Sequence, residues 1–417
     1  MGRIGRSSIR WAIFTAVCCV LWPFACTRQH PPRGREESPI VRVRLLAAQD
    51  AVTLRVNTPP TVRTASESTS LRLNMSSGAA TLALTPGGWT IGGVAVPGQG
   101  ELSLWQGEEA SVFINDRAYR GRFRFVPVDA TKFDVVNDVD VDGYLKGVLA
   151  REMLKGWTDE AYRAQAIVAR TYALYECRSR GTTRHWDVYC DQRSQVYGGY
   201  GDETDRSREA ADHTSGVVLA FGPSGREKIF KTYFSACCGG VSQSAADGFG
   251  EAYVVPLSDQ NVHGLCSPAP RYNWGPVEIT RTELTRRLRE YGVKRDRSEK
   301  NIGAVVQLEI QQVNRYNRPI RFVATDDREV RYSLSGEELR NAINAGANAD
   351  SPAKLYSSFV KVINEPGGQT IRFVEGHGNG HGVGLCQWCS EIRAEAGMRH
   401  EDIVLSAFPR ARLVRAY

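Results

Sequence analysis

The chain has no strong excess of either charge. Its 417 residues carry a formal +7 at pH 7, and Arg3, Arg6 and Arg10 supply three of those charges at the extreme N-terminus. No basic stripe interleaved with aromatics occurs, which argues against a nucleic-acid partner. Long hydrophobic runs are also scarce: the run Trp11–Ala25 is shorter than the roughly 20 residues that a bilayer span requires. There is no internal repeat and no low-complexity tract. The glycine-rich stretch Gly376–Gly384 is followed by neither Lys-Ser/Thr nor a suitably placed helix start, which excludes a phosphate loop.

What is present is an ordinary globular composition, 42% hydrophobic and 24% charged, long enough for two or three domains with full cores. Residues 1–26 combine a basic start with a short apolar run, the pattern of a secretory signal peptide or an uncleaved N-terminal membrane anchor. Cys26 offers a lipid-attachment point, although Trp-Pro-Phe-Ala before it lacks the usual aliphatic residue three positions upstream. Residues 27–38, rich in Pro, Arg and Glu, read as a tether. The working part is therefore expected to be exported to the cell envelope. Seven cysteines follow Cys26. An odd number in an oxidising compartment leaves at least one thiol unpaired or metal-bound.

The pattern along the chain predicts an α+β fold. Residues 39–135 alternate apolar and polar positions between Gly, Pro and Asn turns, as in Val52-Thr-Leu-Arg-Val56, which reads as a β-rich N-terminal domain. Phe133–Val139 reads as a strand leading into two helices. Residues 136–275 then form the first part of a core, 276–370 a smaller α+β subdomain, and 371–417 the last part of the core, with a cleft between them. Gly216–Phe221 and Ile229–Phe234 are expected to pair across the turn Gly222–Gly225. Thr280-Arg-Thr-Glu283 and Ser335-Gly-Glu-Glu338 have the spacing of capping boxes.

The richest segment is Tyr144-Leu-Lys-Gly-Val-Leu-Ala-Arg-Glu-Met153 with Asp159-Glu-Ala-Tyr-Arg-Ala-Gln-Ala-Ile-Val-Ala-Arg-Thr-Tyr-Ala-Leu174. It predicts two helices, the first capped by Asp142 and ending at Glu152. In the second, Ala161, Ala164, Gln165, Val168 and Tyr172 form a face of mostly small residues. A Glu desolvated at such a junction approaches the pKa of a working general acid, whereas a salt bridge to Arg151 or Arg170 would make it structural. Together with Ser194-Gln-Val-Tyr-Gly-Gly199, Tyr233-Phe-Ser-Ala-Cys-Cys-Gly-Gly240 and Gly380-His-Gly-Val-Gly-Leu-Cys-Gln-Trp388, these helices resemble the SpoIID/LytB family, the stage II sporulation protein D and amidase-enhancer group.

The resemblance implies an extracytoplasmic, peptidoglycan-active domain. It points to a lytic transglycosylase that cleaves MurNAc-GlcNAc bonds of glycan strands, with Glu152 as single acid and base. The alternative it carries is a non-catalytic amidase enhancer that binds peptidoglycan and activates a cell-wall amidase. No cofactor is required for transglycosylase chemistry, and no second carboxylate is tied to the motifs. Ser194, Gln195, Tyr197, Ser235, His381 and Gln387 are the residues the motifs offer to the substrate, a hydroxyl, an amide and a phenol suiting a sugar. Some relatives carry zinc on His and Cys ligands between the Glu helix and the Ser-Gln-x-Tyr motif. Here only His185 and Cys190 fall in that interval. A different set, Cys237, Cys238, His263, Cys266, Cys386 and Cys389, sits at or beside the later motifs, and Cys386-Gln-Trp-Cys389 has the spacing of a metal knuckle. Structural zinc and disulfides both remain open for it. A third use, Cys386 as a nucleophile activated by His381, would suit peptide cleavage.

Overall fold

Alternating burial along the early strands sets the first layer. In Ala51–Val56, Val52, Leu54 and Val56 are buried while the residues between them are exposed. This is the period-two pattern of a sheet with one wet face. In the computed structural model, which describes residues 38–417 except 59, 67–70, 73–77, 108–110, 181–183 and 349–351, such strands form two sheets. The expected signal or anchor segment, Cys26 and nearly all of the tether lie outside the described residues. A seven-stranded sheet contains Ile40–Gln49, Phe133–Asp140 and Arg122–Pro127 as neighbours, and a six-stranded sheet is built around Ala51–Val56 and Ala79–Thr85. Their inner faces share one core, where Trp89 of the second sheet lies edge-on to Phe133 of the first at 5.1 Å between ring centroids.

Strand Phe133–Asp140 is almost wholly buried and runs without a loop into helix α1, Val141–Glu152. The expected division at 135/136 falls inside this strand, and the core of the sheets continues into the helices. The direct strand-to-helix passage also shifts the helix start. Asp140, not Asp142, is the N-cap, its carboxylate accepting from the Gly143 N–H at 2.8 Å. Asp142 lies in the first turn instead, where its Oδ1 accepts from Arg170 Nε at 3.0 Å and Nη2 at 2.8 Å.

Arg170 belongs to α2, Asp159–Arg180. This helix is not buried along a single face. Ala161, Tyr162, Ala166, Ala169 and Ala173 join the core of the sheets, whereas Ala164, Ile167 and Val168 join a second core with Leu219, Leu385, Ile403 and Phe408. The small residues let neighbouring elements close on α2 from both sides. Val217–Phe221 of that second core pairs with Arg412–Arg415 and, through Ala220 and Phe221, with Lys228–Ile229. The expected longer partner strand stops there, because Phe234–Ser235 leaves to pair in parallel with Leu385–Cys386.

Residues 277–374 have a hydrophobic core of their own. It lies between the antiparallel strands Val305–Val313, Pro319–Asp326 and Arg331–Ser335, the strands Val277–Thr280 and Thr370–Val374, and the helices Arg281–Arg295 and Gly336–Ala345. Ser335 and Glu338 form a reciprocal capping box. Thr280 caps its helix through the Glu283 N–H alone, since Glu283 turns to Arg286 and Arg287. Residues 38–417 together form one compact unit of α+β class.

The fully buried Arg170 gives a test of this packing. Asp142→Ala strands a buried guanidinium and should cost about 3 kcal/mol in urea unfolding, whereas Asp140→Ala removes only a cap and should cost about 1 kcal/mol. Equal losses would contradict the assignment of the two carboxylates.

Candidate functional site around Glu152

Glu152 closes α1, and it has neither of the arginine partners considered above. Arg151 pairs with Asp202, and Arg170 with Asp142. The half-buried carboxylate accepts instead from the Val196 N–H, at 2.8 Å. Burial raises its pKa above the ordinary glutamate value, and the Val196 N–H offsets only part of that rise. The group is thus suited to hold a proton at milder pH than a solvated carboxyl.

The junction after Glu152 is held from across the fold by helix Gln387–Glu395. Gln387 Nε2 donates to the Glu152 carbonyl at 3.1 Å. One turn on, the buried Glu391 carboxylate accepts from the Thr158 N–H at 3.0 and 3.1 Å and from its hydroxyl at 2.9 Å, which caps the start of α2. Trp388 packs edge-on to Trp157 at 5.2 Å between centroids. Glu391 and Trp157 were not singled out from the sequence. The i, i+4 spacing of Gln387 and Glu391 was the available signal.

Several residues assigned to the substrate have side chains that are buried or tied into turns. Gln195 is buried, its Oε1 accepting from the Tyr144 hydroxyl at 3.2 Å. Tyr197 is buried too, donating to Asn137 Oδ1 at 3.1 Å and lying 5.0 Å from the Tyr144 ring. Gly147 permits this, because a Cβ there would stand 2.7 Å from the Tyr197 ring. These two side chains wedge the loop that presents Val196 to Glu152, and they face the core rather than a ligand. Ser194 is a turn residue whose hydroxyl accepts from the Tyr189 N–H at 3.2 Å. Ser235 is buried and accepts from the Gly382 N–H at 3.2 Å, bracing the glycine-rich loop.

His381 sits in that loop with Nδ1 accepting from the Val383 N–H at 3.0 Å, so Nε2 carries the ring proton. Burial holds its pKa down to about 4, and its ring lies against Phe249 and Tyr233. It is therefore neutral at pH 7 and is engaged with its own loop rather than with Cys386. Cys386 is itself buried, which denies a substrate peptide approach to its sulfur as a nucleophile.

The cysteines divide into two groups. Cys238, Cys266, Cys386 and Cys389 are buried with all four sulfurs within 4.8 Å of one another. Cys237 adjoins them, its sulfur 3.9 Å from the Cys266 carbonyl. Among the described residues His185 and Cys190 neither join that group nor form one of their own: His185 Nε2 meets Asp134 at 2.9 Å, and Cys190 Sγ meets the Leu45 carbonyl at 3.3 Å. They do not fit the zinc site suggested for that interval. His263 is likewise outside the cluster, exposed, at a positive φ of 49°, with its N–H bound to Asn261.

Comparison with known proteins bears first on the segment that carries Glu152. Residues 129–221, spanning both helices and the Val196 loop, match the SpoIID family, described as "Stage II sporulation protein". An uncharacterised protein of Brachyspira hyodysenteriae is 29% identical over 291 residues, covering 70% of this chain and 71% of that one. The stage II sporulation protein D of Bacillus subtilis is 25% identical over 67% of this chain and 76% of its own length. The amidase enhancer of the same organism is 22% identical over 64% of this chain, a match that spans only 39% of the enhancer. With the motifs, these similarities support the resemblance of the chain to the SpoIID/LytB family, with the SpoIID match itself confined to residues 129–221.

Proposed function

We propose that the protein is an exported peptidoglycan lytic transglycosylase that cleaves MurNAc-GlcNAc bonds with Glu152 as its one acid and base. The observation that carries this reading is the state of Glu152: half-buried, unpaired with either neighbouring arginine, bound by one backbone N–H and raised in pKa. In the first half of the reaction protonated Glu152 gives its proton to the glycosidic oxygen as the C1–O bond breaks. The muramic C6 hydroxyl then bonds to C1, closing a 1,6-anhydro ring, and Glu152 takes the hydroxyl proton. Donor and acceptor are the same oxygen pair, the proton balance closes and no water is consumed. The Val196 N–H and Gln387 orient the carboxyl through its side chain and its carbonyl respectively. Glu391 is bound to Thr158, so it is not free to activate water as a second carboxylate would.

A second reading is a non-catalytic role in which the protein binds peptidoglycan and stimulates a cell-wall amidase. It is favoured by the likeness to the Bacillus subtilis amidase enhancer. Incubation with isolated glycan strands, followed by mass spectrometry, separates the two. The expected outcome is 1,6-anhydromuramic ends from the wild type and at least a hundredfold fewer from Glu152→Gln. Stimulation of an amidase without anhydro ends would replace the first reading by the second.

Two pH effects follow from the raised Glu152 pKa. The reaction needs the acid protonated, so its rate should fall as pH rises through a value above the ordinary ~4.3 of glutamate. Stability follows the same sign. Raised in the folded state, the Glu152 carboxyl favours folding below its unfolded pKa and loses that contribution as pH rises through the folded one. Glu152→Gln should therefore gain stability relative to wild type at pH 7 and lose that advantage near pH 4. Denaturation midpoints at the two pH values measure this, and a pH-independent difference would contradict a desolvated acid.

A further inference from the structure

Four thiols meet where three separate segments cross. The loop after strand Phe234–Ser235 brings Cys238, the turn at 264–267 brings Cys266, and the start of helix Gln387–Glu395 brings Cys386 and Cys389. Close backbone approach makes this convergence feasible. Gly239 adopts φ +71°, and a Cβ there would stand 2.8 Å from the His377 carbonyl carbon. On the other side, the Cys237 N–H and the Asn379 carbonyl bond at 3.0 Å.

We infer that Cys238, Cys266, Cys386 and Cys389 form a structural tetrathiolate zinc centre. The spacing fits: Cys238 and Cys266 sulfurs are 3.6 Å apart, and all six sulfur pairs fall within 4.8 Å. A tetrahedral zinc with bonds of about 2.3 Å places its sulfurs about 3.8 Å apart. Two disulfides would instead divide the sulfurs into two bonded pairs of about 2 Å. The second observation is the direction of the backbone donors. The N–H groups of Cys238 and Cys389 both point at Cys386 Sγ, at 3.3 and 3.5 Å, as suits a sulfur carrying negative charge.

The third is charge. Arg318 is fully buried and donates to the carbonyls of Cys238, Val241 and His381. Among the described residues no carboxylate pairs with it directly, the nearby buried Glu337 being bound to Arg340 at 2.7 Å. Four thiols that bind one zinc ion release four protons and leave a centre of charge −2, which offsets the guanidinium beside it. Cys237, turned toward the Cys266 carbonyl, is left as an ordinary buried thiol.

The centre would act on the site through two bonds of sequence. Cys386 and Cys389 flank Gln387, whose side chain holds the Glu152 carbonyl. Fixing both cysteines fixes the first turn of that helix, making the metal a positioning device for Glu152 rather than a participant in the chemistry.

The test is elemental analysis of the full chain, purified without a metal-affinity tag. The expected result is about one zinc per chain, with four of its thiols protected from alkylation until a chelator is added. Cys266→Ser and Cys389→Ser should each lose nearly all the metal, while Cys190→Ser and His185→Ala keep it. Should the cysteine variants fail to fold, cobalt exchanged into the wild type supplies the second measurement, with the visible absorption of a tetrahedral tetrathiolate expected. A folded, metal-free protein whose mass reveals two disulfides, or whose thiols all alkylate without a chelator, would overturn the assignment. None of these readouts depends on transglycosylase activity, so the metal centre and the catalytic reading can fail separately.

Discussion

Two helix ends meet between Glu152 and Thr158, both residues half-buried, and one distant helix reaches the backbone of each. A helix leaves its last carbonyls and first amides without internal partners, and a buried end without partners is costly. Here one distant element answers both. Gln387 donates to the last residue of α1, and Glu391, on the same face one turn later, accepts from the residue that opens α2. The break between the helices is thereby fixed in place without an ion pair at Glu152 itself.

That separation of duties explains the electrostatics. A carboxylate among arginines would normally be captured by one of them and pulled down in pKa. Asp202 takes Arg151, and Asp142 takes Arg170 with help from the Thr214 hydroxyl and the Ala211 carbonyl. Glu152 is left with a neutral donor, and desolvation becomes its dominant influence. The buried Arg170–Asp142 pair joins the start of α1 to α2, ten residues before Glu152 at the other end of the helix.

Much of this was legible in the residues. Strict alternation in Val52–Val56 gave the wet and dry faces of a strand, and the chain order of the motifs placed Glu152 at the end of a helix. The helix start was missed because Phe133–Asp140 passes into α1 with no loop to mark the change, so Asp140 rather than Asp142 became the cap. The burial of Gln195 and Tyr197 was not legible for a different reason. Polar side chains in a motif look alike whether they face a ligand or brace a loop from behind, and only their buried partners Tyr144 and Asn137 distinguish the two. The same ambiguity affected the cysteines. Spacing alone singled out the Cys386–Cys389 pair, but Cys238 and Cys266 join it only because three loops converge, and His263 lies outside the cluster.

The cysteine cluster and the acid therefore belong to one mechanical unit. The parallel pairing of Phe234–Ser235 with Leu385–Cys386 ends on a cluster cysteine, and the next residue is the one that reaches Glu152. Ser235 in that pairing also braces the glycine-rich loop through Gly382. A change in the oxidation or metal state of the sulfurs would be felt first at the start of helix Gln387–Glu395, before any sheet or large core is disturbed. Such a change would alter the orientation of the Glu152 carbonyl while leaving its desolvation, set by α1 and the Val196 loop, nearly intact. The position of the acid and its proton affinity are thus controlled by different parts of the fold.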